Sequence, residues 1–515
     1  MICVKIEKNK YVDSLETLFT TGVLNDQKGI EIGYVNMANK ALKEALKTEG
    51  ILTPEIDALS DSDFVIVAKC DSQASFDNAL AVISRDIHGE KKESKKTYSS
   101  TVDALSAHKE ANLCSIAVPG EYALEEVTKA LNLGLHCVVF SNNVPLEDER
   151  KMKELAREKG LLCMGPDCGV ANINGSALVL ASINNRGPFG ICGATGTGIQ
   201  HVAAILHECG TGVSQTIGTG GNDLKEKVGG IMMQMGIDAL EADSETKYII
   251  LISRKPADSV LEPLYQKIEK CTKPVVVFFM GENKETVEKR GGIYASNLDD
   301  CAEKALNLIG KTFKKETDEE IREIAKKACE NMPSSQKYLR GLYTGGTYMD
   351  EAMRAMTGVI GDIYSNAPLE ERLRLSDSTV TKENSCIDYG EEEFTQGRPH
   401  PAIDPSIRKP FILKEAMDKE VAVIILDFIL TPPGHMDPCG YVLDDVKKAM
   451  EEAEKEGRKL VVIGVVLGTD ADLQNKSEQV KKMKDAGVIM AKTNYSAALI
   501  ASEIVRIQRE KRNDR

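Results

Sequence analysis

Two stretches of this chain put glycines and threonines where a strand gives way to a helix, a pattern suited to holding an anion. The first is Gly193-Ala194-Thr195-Gly196-Thr197-Gly198, after the apolar run Gly187 to Cys192 and before a helical pattern from Ile199 to Glu208. The second is Thr344-Gly345-Gly346-Thr347, before a helical pattern from Met349 to Met356. Glycines let the backbone turn tightly, and free N–H groups at a helix N-terminus favour negative charge. Gly193, Thr195, Gly196, Thr197, Gly345, Gly346 and Thr347 are therefore candidate phosphate-binding residues. Neither stretch is a G-x-G-x-x-G fingerprint or a Walker A loop. An ordinary strand-to-helix turn competes with each of these readings.

Three further places carry reactive side chains. In Ile217-Gly218-Thr219-Gly220-Gly221-Asn222-Asp223, Gly220, Gly221 and Asn222 would let a substrate approach the backbone, or form a tight turn with Asn222 as a helix cap. Gly397-Arg398-Pro399-His400-Pro401 presents Arg398 and His400 on a proline-stiffened strap, with Arg408 beyond it. Arg398 has the fork to grip a carboxylate, and His400 titrates near neutrality; a solvated surface strap competes. Asp427 ends an apolar strand, and His435 and Asp437 follow in a Pro/Gly loop, where open α/β sheets bind ligands. Two metal-ligand types without a third make a poor metal site, and no metal is expected.

These residues need a scaffold, and the pattern supplies an α/β one. Short apolar runs at Leu113 to Val118, His136 to Phe140, Leu161 to Met164 and Gly187 to Cys192 alternate with amphipathic helices, as in a buried parallel sheet. Tyr248 to Ile252 and Pro274 to Met280 point to a second sheet. Val421 to Leu426, Leu460 to Val466 and Gly487 to Met490 belong to a last α/β unit, after a polar connection from about 366 to 409. Residues 1 to 88 read as a small α+β sandwich of βαβ type, with strands at 29–35 and 63–68 and helices at 39–47 and 75–87. The charged run Gly89 to Lys96 is a linker. The expected division is 1–100, 101–240, 241–340 and 341–515.

Composition bounds the function. The 515 residues carry a net charge of −14 and no Trp, which excludes a nucleic-acid surface built on bulk positive charge or base stacking. No run of about 18 apolar residues is present, so no membrane span is expected, and the N-terminus has no signal-peptide core. Thirteen cysteines without a C-x-x-C pair fit buried thiols in a reducing, cytoplasmic setting.

Gly165-Pro166-Asp167-Cys168-Gly169, Gly190 to Thr197 and Ile217 to Leu224 together resemble the α subunit of succinyl-CoA synthetase. With the Gly397 to Pro401 strap and the Asp427 to Asp437 loop, the chain resembles the FdrA family of acyl-CoA-synthetase-like proteins over about residues 111 to 505. The resemblance implies Rossmann-like and flavodoxin-like parallel-sheet domains, with α-like and β-like ligase parts fused. It also implies that the two Gly-Thr helix starts face one phosphate. The synthetase family carries that phosphate on a histidine in a Gly-His-Ala-Gly context. Here the region reads Arg290-Gly291-Gly292-Ile293-Tyr294-Ala295, and Ser253-Arg254-Lys255-Pro256 replaces a glutamate-bearing segment. There is also no room between 310 and 410 for a nucleotide-activating domain.

A phosphate site without its carrier implies phosphate within the substrate. The FdrA resemblance implies a subunit of oxamate carbamoyltransferase, which interconverts oxalurate plus phosphate with oxamate plus carbamoyl phosphate in allantoin catabolism. Arg398 or Arg254 would hold the small carboxylate, and His400 or His435 would move a proton. No resident cofactor is implied; CoA binding remains possible, and other subunits and an oligomer are expected. The alternatives are an acyl-CoA synthetase subunit and a non-catalytic CoA- or phosphate-binding assembly subunit.

Overall fold

The computed structural model describes residues 1–10, 12, 14–88, 97–395 and 399–513. The Gly89 to Lys96 linker and Arg398 lie outside the described residues. The chain forms two compact units. The first contains Met1–Ala111, Tyr389–Ile407 and Pro433–His435, and the second Asn112–Asp388, Arg408–Pro432 and Met436–Arg515.

In the first unit β1 (Ile2–Glu7), β2 (Ile30–Met37) and β3 (Phe64–Cys70) form a sheet in the order β1-β3-β2. Both outer strands run antiparallel to β3. This corrects the βαβ expectation: the strands expected at 29–35 and 63–68, β2 and β3, are neighbours but antiparallel, and the strand parallel to β2 is β1, on the far side of β3. The β1 strand lies outside the strands expected from the sequence, although Val4-Lys5-Ile6-Glu7 alternates; the apolar run Ile2-Cys3-Val4 before it shows no period. Cys3, Val35, Ile66 and Ala68 pack on Phe76, Ala79 and Ile83 of one helix. Tyr34, Val65 and Val67 face Leu42 and Leu46 of another. Burial on both faces explains why β3 reads as an unbroken apolar run.

The second unit holds three sheets. A small parallel one consists of β4 (Leu113–Ile116), β5 (His136–Val139) and β6 (Cys163–Met164). The next strands are the hairpin β7 (Val170–Ile173) and β8 (Ser176–Val179), then β9 (Arg186–Gly193), β10 (Val213–Gly218), β11 (Tyr248–Ser253), β12 (Val275–Phe279) and β13 (Ile293–Tyr294). They form one seven-stranded sheet in the order β13-β12-β11-β9-β10-β7-β8. This corrects two expectations. The sheet of β4 ends before β9, and the sheet expected to begin at Tyr248 is that of β9, across the division placed at 240. Periodicity reveals strands but not partners, and β11 pairs with β9 through five register positions.

The third sheet contains β14 (Tyr338–Tyr343), β15 (Tyr364–Ser365), β16 (Ser385–Asp388), β17 (Val421–Ile429), β18 (Val461–Leu467) and β19 (Ile489–Met490). Its order is β15-β16-β14-β17-β18-β19, and each neighbouring pair is parallel. The stretch expected to be a structureless connection from 366 to 409 therefore contributes β16, a four-residue strand too short to show a period. All nine residues of β17 are buried, Asp427 among them.

Two helices follow the glycine-rich turns. Gly196–Glu208 is buried continuously from Gly198 to Leu206, not along one stripe, because it packs against the helices Leu298–Asn307 and Gly346–Ile360 as well as its own sheet. Among the described residues, no helix is long and apolar enough to cross a membrane.

Candidate functional site: two helix starts in contact

The first helix start is built locally. Gly193 ends β9, and Ala194 N–H donates to the Ile252 carbonyl of β11 at 3.0 Å. Thr195 is extended (φ −152°, ψ 119°), and its hydroxyl accepts from Gly198 N–H at 3.1 Å. That is an N-cap, satisfying one of the orphan donors of the first turn.

The second start is built from a distance. Gly345 occupies the N-cap position and has no side chain to cap with. Asp427 of β17 substitutes: Thr344 N–H donates to one carboxylate oxygen at 2.6 Å and Gly345 N–H to the other at 3.0 Å. Arg408 locks this carboxylate, donating to its oxygen at 3.2 Å and to the Asp427 carbonyl at 2.6 Å. Burial pushes the Asp427 carboxyl up, against the opposing pull of Arg408 and the two backbone donors. Asp427 thus braces the helix start; its oxygens are committed to the chain itself.

The two starts touch. The hydroxyls of Thr195 and Thr347 lie 2.6 Å apart in a hydrogen bond. Thr197 packs against Gly345, where a β-carbon would meet its side chain at 3.0 Å. At Gly346, a β-carbon would run into both the Arg254 guanidinium and the Asp388 carboxylate, so only glycine leaves room for them. Arg254 itself is exposed. Two helix dipoles, two hydroxyls and a guanidinium converge here, with the Asp388 carboxylate beside Gly346 and that of Asp427 on the Thr344 and Gly345 N–H groups. The arrangement suits an anion with several oxygens.

The Gly218 to Asp223 loop is anchored from beneath. Lys153, fully buried, donates to Glu149 at 2.6 Å, to the Thr219 carbonyl at 2.8 Å and to Asp223 at 3.0 Å. Burial opposes its charge, yet Asp223 and Glu149 hold the ammonium above its ordinary pKa. Asp223 also accepts the Met232 and Met233 N–H groups at the start of the next helix, at 3.1 and 2.8 Å. That helix begins at Ile231 with Gly230 as its cap, so Asn222 is a turn residue and not a helix cap. Gly220 takes φ +85°, and Gly221 faces open space.

The remaining candidates fall elsewhere. His400 and His435 belong to the first unit, whereas the helix starts belong to the second. The His400 ring accepts Ala402 N–H at 3.2 Å, and His435 pairs with Asp26 at 2.9 Å. Among the described residues no group of three or more His, Cys, Asp or Glu side chains is placed to hold a metal ion. Sequence reasoning missed Lys153, Asp388 and a buried cluster behind the helix starts (His201, Asp299, Tyr348 and Glu351). For Lys153 a signal existed: it follows Glu149 by four residues on the apolar face of its helix.

The chain carries CoA-ligase-like and CoA-binding-like parts. Residues 342–504 match the family model CoA-ligase, and residues 184–281 match CoA binding domain. Residues 1–103 match AllF, heavy metal-associated domain. The chain is 39% identical over 506 residues, 98% of each chain, to the uncharacterized protein YahF of Escherichia coli (strain K12), and it belongs to that protein's family. It is also similar to subunit alpha 1 of an ADP-forming succinate–CoA ligase from Archaeoglobus fulgidus, 27% identical over 37% of this chain. That match spans 65% of the subunit's own length. Among solved structures, ATP citrate lyase from Methanothrix soehngenii, in complex with citrate and coenzyme A, aligns over 81% of this chain and 85% of its own. Its TM-score is 0.36 at 13% identity, too slight a likeness to carry an argument.

Proposed function

We propose that this chain is an acyl-CoA-synthetase-like subunit that holds phosphate, or the phosphoryl end of an acyl phosphate, between its two helix starts. The observation that carries the reading is the 2.6 Å contact between the Thr195 and Thr347 hydroxyls, which joins the two N-termini in one place. The matches to CoA-ligase and CoA binding domain models support it. In the transfer step the CoA thiolate attacks the acyl carbon, the carbon–oxygen bond to phosphate breaks, and phosphate leaves with the electron pair. The helix N-termini at Gly196 and Gly346 stabilise that leaving phosphate, the one hydroxyl proton of Thr195 and Thr347 not used between them is donated to its oxygens, and Arg254 offsets the Asp388 charge. Orientation supplies the rest of the rate. With no histidine at the synthetase carrier position, the phosphoryl group is carried on the acyl phosphate until that attack releases it as free phosphate, and formation of the acyl phosphate from nucleotide falls to a partner subunit. The test is CoA-dependent thioester formation from an acyl phosphate by this chain, then ATP-dependent formation with its genomic neighbours. Silence in both assays would overturn the reading.

A second reading is favoured by the AllF match of residues 1–103. In it the chain is an FdrA-like subunit of an oxamate carbamoyltransferase in allantoin catabolism. Phosphate at the same helix starts attacks the carbamoyl carbon of oxalurate, and oxamate leaves after taking up a proton. Phosphate-dependent carbamoyl phosphate formation from oxalurate, with neighbours co-expressed, tests it; no product under those conditions would remove it.

A further inference from the structure

Directly behind the two helix starts lies a buried group of ionisable side chains that neither reading uses. His201, in the second turn of Gly196–Glu208, is within 2.6 Å of the Tyr348 hydroxyl through Nδ1 and 2.9 Å of Asp299 through Nε2. Tyr348 is in the first turn of Gly346–Ile360, so this one imidazole ties the two helices together just below their starts. Its ring meets the tyrosine edge-on, with centroids 5.5 Å apart. The second oxygen of Asp299 accepts the Thr493 hydroxyl at 2.7 Å. Glu351, one turn beyond Thr347, accepts Leu298 N–H at 2.9 Å and the Asn494 amide at 2.9 Å. That amide also donates to the Tyr348 carbonyl at 2.8 Å. His201, Asp299, Tyr348 and Glu351 are each no more than 3% exposed.

We propose that Glu351 is a positioning residue for the anion site, and that a negative charge on it, held within the bonded group of His201, Asp299 and Tyr348, lowers the affinity of the two helix starts for a divalent anion. The proposal rests on the anion-site reading above. The geometry gives the direction. Glu351 is five residues past Gly346, about 8 Å along the axis. A negative charge there opposes the positive end of the helix dipole and repels an anion at its start. Two carboxylates share this interior with one imidazole, so they are not both ionised without cost. Burial pushes the Glu351 carboxyl up to about 7, with His201 opposing, Asp299 adding to the shift, and the Asn494 and Leu298 donors opposing. Other titratable groups facing the cluster are Asp427 from β17, Tyr343 from β14, Tyr495 from the last helix, Glu208 from the helix of His201, and Lys315 towards Asp299. Its state therefore changes within the ordinary pH range while the bonds around it remain.

The experiment uses the full chain and inorganic sulfate, a divalent anion whose own charge is constant from pH 6 to 8.5. Calorimetric titration at fixed ionic strength should show sulfate affinity falling by about fivefold or more across that range, the effect of a unit charge on a divalent one about 8 Å away even in bulk water. Glu351→Gln, checked for a single cooperative thermal transition, should keep the low-pH affinity throughout. In wild type alone, titrations near pH 7 in buffers of different ionisation enthalpy should show proton uptake on sulfate binding, the reciprocal of the same linkage. Sulfate binding with no proton uptake would overturn the proposal while leaving the anion site standing, even if the variant does not fold. A pH slope retained in a folded Glu351→Gln chain would do the same. No sulfate binding at any pH would overturn both.

Discussion

The two helix starts share a motif and are held by opposite means. At Gly196–Glu208 the chain caps itself: Thr195, already in the turn, satisfies Gly198 N–H. At Gly346–Ile360 the cap residue is Gly345, and the first donors are met by Asp427 from β17, itself held by Arg408. The first device is a neutral hydroxyl that leaves the dipole uncompensated. The second is a buried ion pair whose loss leaves an uncompensated charge. The difference teaches that one start is set by its own turn, whereas the other exists only when the sheet that supplies Asp427 is folded.

Breaking the second device should produce the largest effect. Asp427→Ala strands Arg408 in the interior and should cost about 3–5 kcal/mol in denaturant unfolding; a cost below about 1 kcal/mol would mean that the pair does not brace the helix. Next comes pH. Glu351 is protonated in the folded chain up to about 7, against an ordinary 4.5. Its contribution is therefore fully present below the ordinary value and lost as pH rises through about 7, a change on the order of 3 kcal/mol. Wild type should lose stability over that window and Glu351→Gln should lose less; parallel profiles would contradict the assignment. Thr195→Ala should cost only about 1 kcal/mol of stability, yet weaken phosphate binding roughly tenfold through the lost charge-assisted donor. The smallest effect is expected from Thr347→Val, about 0.5–1 kcal/mol for one hydroxyl contact, measured by the same unfolding experiment.

The contrast between the starts also explains what the sequence disclosed. Thr195 sits in its own motif, so the first start is legible from Gly193 to Gly198. The second shows its glycines and Thr347 but not its brace, because Asp427 is 82 residues from Gly345. Asp427 stands out as an acid in an apolar strand, and that signal marks a buried role without telling substrate from scaffold. His201 and Glu351 look like ordinary helical residues; only the packing of three helices turns them into one cluster. Strand positions were readable from apolar runs, whereas sheet partners were not, which is why β9 and β11 were assigned to different sheets. The four residues of β16 fell below any periodic signal.

The account depends on the two starts forming a single anion site. Amide hydrogen exchange on the full chain, with and without inorganic phosphate, tests this most directly. It predicts added protection at both Thr195–Gly198 and Gly346–Tyr348, rising with the same phosphate concentration dependence. Protection at one start alone, or at neither, would contradict it.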